Sequence, residues 1–522
     1  MSTSTPTRPA TGRRSLRGNP GLSLAAVCFG LFMVGLDGTV VSVANPAISD
    51  ALGTSFTELQ WITNSYLLAL AVFLILGGKL GDRFGRKKMY LIGVAAFAVT
   101  SVAIGLAGTT EGVIAFRALQ GLSAALLMPQ TLALLRATFP REKFGMAIGI
   151  WGGASSVAIA AGPIVGGALV GTLGWESVFY INAPIAVIGL ILGGLVLKES
   201  SATSRARFDI AGVVLLALGL FGIVLAVVQS ESWGWTSPLT LGVLAGGLVL
   251  VAVFVVVENR VAAPLLPMGL FRNPTITVGA LAVAANFFAL FGVTFFLALF
   301  LLNFRGEEGI AAGLMLLPLS AVSIIASPIG AALVSKFGIR LTMSLGLVLV
   351  GGALFGLTPI SIDSPYVTMA VPFVVLALGV GLVMTSGAEA IVGSAPVQLA
   401  GVAGGLQATS LQLGGALGTA VLAAVVSAGT AAGLGSTTFA GAEAVAQGII
   451  PTGLDAATTI LARDAFTGGL SSAFVVAGCV AIVIAIAAAV FVRNPKAHHT
   501  VEEVLLETES GTSGSSADAL LR

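Results

Sequence analysis

Asp37 sits in the middle of an apolar run from Leu24 to Ala47, a run long enough to span a bilayer. An ionised carboxylate at that depth costs about 2.5–3.5 kcal/mol on insertion scales, so such residues face a bundle interior or a wet cavity and usually carry function. Desolvation disfavours the charged form. A carboxyl group that meets wet and dry surroundings in turn therefore takes up and gives back a proton. It would also attract a cationic solute, so proton and solute could compete for one group. A purely structural ion pair is the alternative. Arg117, inside the apolar run 112–135, is the natural partner. Its guanidinium is charged at any relevant pH and would keep the carboxylate charged when close; bracing of two helices is its plainer role. Glu389, at the end of the run 367–389, is either a second coupling or substrate carboxylate or a solvated helix end. The two histidines, His498 and His499, lie side by side in the C-terminal tail. Proton transfer within the apolar runs, if it occurs, falls to carboxylates.

A second concentration of charge is "GKLGDRFGRKK" at 78–88, six charged side chains in eleven positions of a chain that is only 9% charged. Lys and Arg between two apolar runs fix membrane orientation, but acidic residues contribute little to that. Asp82 therefore needs another reason, and capping the helix that follows is the simplest. Gly81 and Gly85 would permit close backbone approach.

Composition dictates the setting of these groups. The 522 residues are 56% hydrophobic, whereas a soluble chain carries about 25% charged residues. Such a chain belongs in a bilayer. A net charge of +2 gives no reason to expect a nucleic-acid partner. Cys28 and Cys479 lie within apolar runs and show neither a disulfide framework nor metal spacing, so no metal or cofactor is expected. Arg8, Arg13, Arg14 and Arg17 precede the first apolar run as in a signal peptide. A signal core is only about 7–15 residues long, so the run reads as a retained membrane helix.

Fourteen runs are candidate spanning helices: 24–47, 60–78, 89–107, 112–135, 146–171, 177–197, 210–229, 239–257, 275–300, 311–333, 341–360, 367–389, 402–427 and 470–492. With the N-terminus inside, 22 of the 25 Lys and Arg fall on inner segments. That asymmetry predicts both termini in the cytoplasm and an even helix count. The chain also repeats. Gly77, Leu80, Arg83, Phe84, Gly85 and Lys87 are echoed 253 residues later by Gly330, Leu333, Lys336, Phe337, Gly338 and Arg340. Pro140, Gly145, Ala147 and Gly149 are echoed at 256 by Pro396, Gly401, Ala403 and Gly405. The expected fold is all-α and integral to the membrane: two pseudo-symmetric six-helix bundles, 24–197 and 275–492, with a two-helix insert in 198–274. An arm (1–23) and a disordered tail (493–522) complete the inner face. A long Ala/Gly/Thr-rich outer loop is expected at 428–469.

Four stretches carry a family resemblance. "GGKLGDRFGRKK" (77–88) resembles the loop signature of the major facilitator superfamily. "LDGTVVSVANPAI" (36–48), "RALQGLSAALLMP" (117–129) and "AGPIVGG" (161–167) resemble first-, fourth- and fifth-helix motifs of its 14-helix drug:proton antiporter branch. The resemblance implies a major facilitator fold and proton-driven export of small amphipathic, including cationic, drugs or antibiotics by alternating access. The setting it implies is a bacterial cytoplasmic membrane, with a monomer as the working unit. It implies a proton-coupling role for Arg117 beside Asp37, and a conformational gate built from Gly78, Gly81, Asp82, Arg83, Gly85 and Arg86. An antiporter motif of Gly162, Pro163, Gly166 and Gly167 would seal the cavity against proton leak through a kink at Pro163. The glycine spacing alone gives close helix packing.

Other function classes fare worse. No G-x-x-x-x-G-K-[ST] phosphate loop is present, which argues against ATP-driven pumping by this chain. No Ser/His/Asp or metal constellation points to an enzyme. A dedicated exporter of one metabolite, amino acid or siderophore, and a non-transporting membrane sensor, are the alternatives. Some of the 28 Phe, such as those in "NFFALFGVTFF" (286–296), could line an apolar cavity.

Overall fold

The computed structural model describes residues 16–494, apart from 55, 202–208, 235, 262–263, 308, 436–443, 446–447, 449 and 452–453. The regular elements of the described residues are helices. Thirteen helical segments are long and apolar enough to cross a membrane. One of them is two helices, because Gly338 at φ 84° and ψ 171° breaks Gly309–Leu357. Fourteen spans result: α1 (Pro20–Leu52), α2 (Phe56–Phe84), α3 (Arg86–Gly105), α4 (Thr110–Thr138), α5 (Arg141–Leu173), α6 (Ser177–Val196), α7 (Ile210–Trp233), α8 (Pro238–Glu258), α9 (Pro274–Leu299), α10 (309–337), α11 (339–357), α12 (Val367–Ala388), α13 (Ala400–Leu434) and α14 (Ala456–Phe491). π-helical turns continue α9 through Phe300–Phe304 and α12 through Glu389–Gly393.

Most helices outrun their apolar stretch, since polar caps extend them toward the interface. Asn19 accepts from Leu22 N–H before Pro20 opens α1, and Asn273 accepts from Thr275 N–H before Pro274 opens α9. The largest departure is the expected outer loop at 428–469. α13 continues to Leu434 and α14 already begins at Ala456, capped by Asp455. Small residues explain the error. The backbone of Gly429 lies against that of Gly469, and Gly433 against Ala465, so the composition that reads as loop instead packs two helices closely. The tail beyond 494 and the arm before 16 lie outside the described residues.

Helices α1 to α6 pack together, as do α9 to α14. α7 and α8 pair with each other, and α7 also touches α2 and α13. The loops that hold residues 79–88, 136–143, 336–340 and 393–401 share one end of the molecule, here called the basic end. There the halves meet: α2 crosses α13 where Gly78 backs onto Gly401, and α5 crosses α10 where Gly149 backs onto Ala331. One apolar core at this end draws on both halves and the insert. Toward the other end the cores are separate, one built from α1–α6 and one from α9–α14. The molecule is joined at its basic end.

The repeat seen in the sequence is also a repeat of geometry. Gly85 (φ 108°) and Gly338 (φ 84°) make the same turn, a backbone conformation that side chains with a Cβ rarely adopt. The helix after each is capped from the segment that follows the last span of its half. Glu199 accepts from Lys87 and Lys88 N–H, both at 3.1 Å, and Asn494 accepts from Arg340 N–H at 3.0 Å. Glu199, not Asp82, therefore caps α3. Glu199→Ala is expected to cost about 1 kcal/mol, the usual worth of a cap, read as a small fall in the thermal midpoint of the purified protein.

Candidate functional site

Asp37 is 0% exposed and points into the first six-helix bundle, away from lipid. Three donors converge on it from two other helices. Arg117 Nη1 of α4 donates to Asp37 Oδ2 at 2.7 Å. Gln120 Nε2, also of α4, and Asn182 Nδ2 of α6 both donate to Oδ1 at 3.0 Å. Arg117 is itself held on every side. It donates to Gln120 Oε1 at 2.6 Å and from Nε to the Ile62 carbonyl at 3.2 Å, and its guanidinium lies 4.2 Å from the centre of the Tyr66 ring. Asn182 also donates to Ser101 Oγ of α3 at 2.9 Å, and Ser101 donates to the Phe179 carbonyl. Five helices thus supply one charge cluster.

Its chemistry follows from donor counting. An ionised carboxylate only accepts, and here it is met only by donors. Two buried oxygens nearby are without partners, Asn182 Oδ1 and the Tyr66 hydroxyl.

Gln120 and Asn182 were not anticipated from the sequence. Gln120 follows Arg117 by three residues, the spacing that puts two side chains on one helix face. Asn182 lies inside the apolar run 177–197, and an amide there was a signal passed over. Glu389 is not part of this cluster. It starts the π-helical turn at the basic end of α12 and is half-buried, beside Gly393, whose carbonyl accepts from Arg136 Nη2 of α4 at 3.3 Å.

The charged loop forms a second assembly. Asp82 is buried and accepts from four donors. Arg86 Nε and Nη2 reach Oδ1 at 2.9 and 2.8 Å, and the N–H groups of Gly401 and Val402 reach Oδ1 and Oδ2 at 3.0 Å. Asp82 thus caps α13, a helix of the other half, where the expectation had been α3. Arg86 also donates to the Val397 carbonyl across the same junction. Gly78 allows the approach, since a side chain there would strike the Gly401 carbonyl, while Gly81 makes room within the first half for the Gln130 amide of α4. Arg83 lies over the ring of Phe84, 5.2 Å from its centre.

The glycines of "AGPIVGG" fix α5 against α1. Gly162 faces Thr39 and Gly166 faces Val40, within a turn of Asp37, while Gly167 meets open space. The side chain of Pro163 lies outside the described residues, so the expected kink is left without a structural description. The stretch "LQLGGALGTA" (411–420) does the same work in the second half: Gly414 and Gly418 face Ala284 and Phe288 of α9. Gly162→Val should force α1 from α5 and cost about 1–3 kcal/mol, typical of overpacking; thermal unfolding in detergent reads it.

Residues 27–419 match the Major Facilitator Superfamily profile. The chain is 40% identical over 518 residues to the tetracenomycin C resistance and export protein of Streptomyces glaucescens, covering 95% of this chain and 96% of that one. It is 34% identical over 506 residues to the multidrug efflux pump LfrA of Mycolicibacterium smegmatis, covering 94% and 99%. Its fold resembles that of the human organic anion transporter MFSD10, with a TM-score of 0.62 at 13% identity over 90% of this chain and 99% of that one. Twelve apolar helices in two repeated sets joined at one end, a two-helix insert, and these matches lead to one conclusion: the chain is a multi-pass membrane protein of the Major Facilitator Superfamily.

Proposed function

We propose that the protein exports small amphipathic antibiotics or drugs in exchange for protons, by alternating access across the cytoplasmic membrane. The observation that carries this reading is the buried Asp37–Arg117–Gln120–Asn182 cluster, in which three side-chain donors meet the carboxylate inside a membrane-spanning bundle. The basic end is the cytoplasmic end, because loops rich in Lys and Arg stay inside. The molecule is then closed to the cytoplasm and parted outward. A proton from outside reaches Asp37, Arg117 lets go, and the altered packing of α1, α4 and α6 favours the state in which the Asp82 junction opens. Substrate enters from the cytoplasm as the proton leaves. Relatives that export one named antibiotic and relatives that act as multidrug pumps both fit this reading.

The test is extrusion from intact cells of a host lacking its own pumps, with a panel of polyaromatic antibiotics and ethidium. The reading expects extrusion that stops when an ionophore dissipates the proton gradient. Extrusion that continues without a gradient would contradict it.

A further inference from the structure

The two halves can be laid on one another residue by residue through their glycine contacts. Gly77 of α2 backs onto Ala125 and Leu126 of α4, and Gly330 of α10 backs onto Gly381 and Leu382 of α12. α2 and α10 thus correspond at a shift of 253, α4 and α12 at 256. Gly93 on Leu127 and Gly346 on Val383 extend the 253 shift to α3 and α11. Gly35 of α1 meets Ala158, and Gly162 meets Thr39; in the second half Gly414 meets Ala284 and Gly418 meets Phe288. With α5 and α13 shifted by 256, α1 and α9 correspond at 249.

This register places Asn286 opposite Asp37. It also places Phe373 at the Arg117 position, Leu376 at Gln120, Leu354 at Ser101 and Leu319 at Tyr66. All four belong to the apolar core of the second half. Asn286 is fully buried and neither its Nδ2 nor its Oδ1 has a partner. The second half thus keeps the polar position and lacks both the ionisable group and the cation that would answer it.

We propose, resting on the reading of Asp37 as the coupling group, that the exchange uses one proton per cycle, carried in the first half, and that the second half is inert to protons. Asp37 takes the proton amid Arg117 and Gln120 of α4, Asn182 of α6 and Tyr66 of α2; Asn286 has no proton to exchange near neutral pH. Among the described residues, Asp82 is held by Arg86 and two N–H groups at the junction, Glu258 ends α8 in the insert and accepts from Leu266 N–H, and Glu389 lies at the basic end, all outside the cluster. Charge balance then follows. One proton entering for one monovalent cation leaving moves no net charge.

Proteoliposomes of the purified full chain test this with ethidium as the monovalent probe. With no membrane potential, a pH difference of one unit should sustain an ethidium gradient of about tenfold, the ratio for one proton. A potential imposed at equal pH should sustain none. Glu389→Gln and Asn286→Leu should leave the tenfold ratio in place. A ratio near a hundredfold, accumulation driven by potential alone, or a ratio altered by Glu389→Gln would each overturn the single-proton assignment while leaving proton exchange intact. A lack of ethidium movement under any gradient would instead overturn the proposed function.

Discussion

Asp82→Ala is expected to open the basic end. The substitution removes the acceptor of two α13 N–H groups and leaves the guanidinium of Arg86, 2% exposed, without its carboxylate. Removing one partner of a buried pair costs about 3–5 kcal/mol. The N–H contacts cross between halves, so much of that loss falls on the joined state and not on the opened one. At about 1.4 kcal/mol per factor of ten, the equilibrium should move by roughly two powers of ten or more toward opening. A single cysteine at Met384 reads this out. Met384 is buried beside Gly152 of α5, between the halves. With Cys28 and Cys479 replaced by serine, labelling of that thiol from the basic face should rise steeply in Asp82→Ala. Unchanged labelling would show that the junction does not hold the halves together.

Arg117→Lys is expected to lose proton coupling even though the charge is kept. Lysine offers a point charge in place of a planar fork. It cannot serve Asp37 Oδ2, Gln120 Oε1 and the Ile62 carbonyl together while lying flat on Tyr66. Each hydrogen bond to a charged group is worth about 1.5–3 kcal/mol, so losing one alone reduces gradient-driven transport about tenfold or more. Arg117→Ala goes further and strands Asp37, at about 3–5 kcal/mol of stability. Transport rates and thermal midpoints measured side by side separate the two effects. Full coupling in Arg117→Lys would mean that charge alone suffices and that the fork geometry is incidental.

The central pair was legible in the sequence because an acid and an arginine inside apolar runs have few tolerable surroundings other than each other. The helix count and the repeat were legible from length, apolarity and glycine echoes. What could not be read locally was partner choice over long separations. Asp82 precedes α3, so a local reading makes it a cap there; in fact the α3 cap is Glu199, and Asp82 reaches across 319 residues to Gly401. No nearby residue signals that choice. The glycine echo at Gly145 and Gly401 marked the place without naming the contact. The loop expected at 428–469 was drawn too long for another reason. Ala, Gly and Thr suit both an outer loop and a tight helix pair, and only the facing surfaces of α13 and α14 distinguish them.

The halves also differ at their two crossings. Where α2 meets α13, a 3-10 turn at Val397–Leu399 makes Gly401 the second residue of its helix, with an N–H free for Asp82. Where α5 meets α10, helix α5 already runs from Arg141, so Gly145 lies past its first turn, and Ser335 stands in place of Asp82. The free N–H and the carboxylate are missing together. The junction is latched on one side and merely packed on the other.

The account rests on Asp37 changing its protonation as the molecule cycles. Proteoliposomes holding wild type or Asp37→Asn, with equal protein incorporated and folding verified by thermal midpoint, test it most directly through ethidium accumulation under an imposed pH gradient. Wild type should accumulate the dye and release it when the gradient is dissipated, while Asp37→Asn should accumulate none. Accumulation by Asp37→Asn at the wild-type rate would contradict the account.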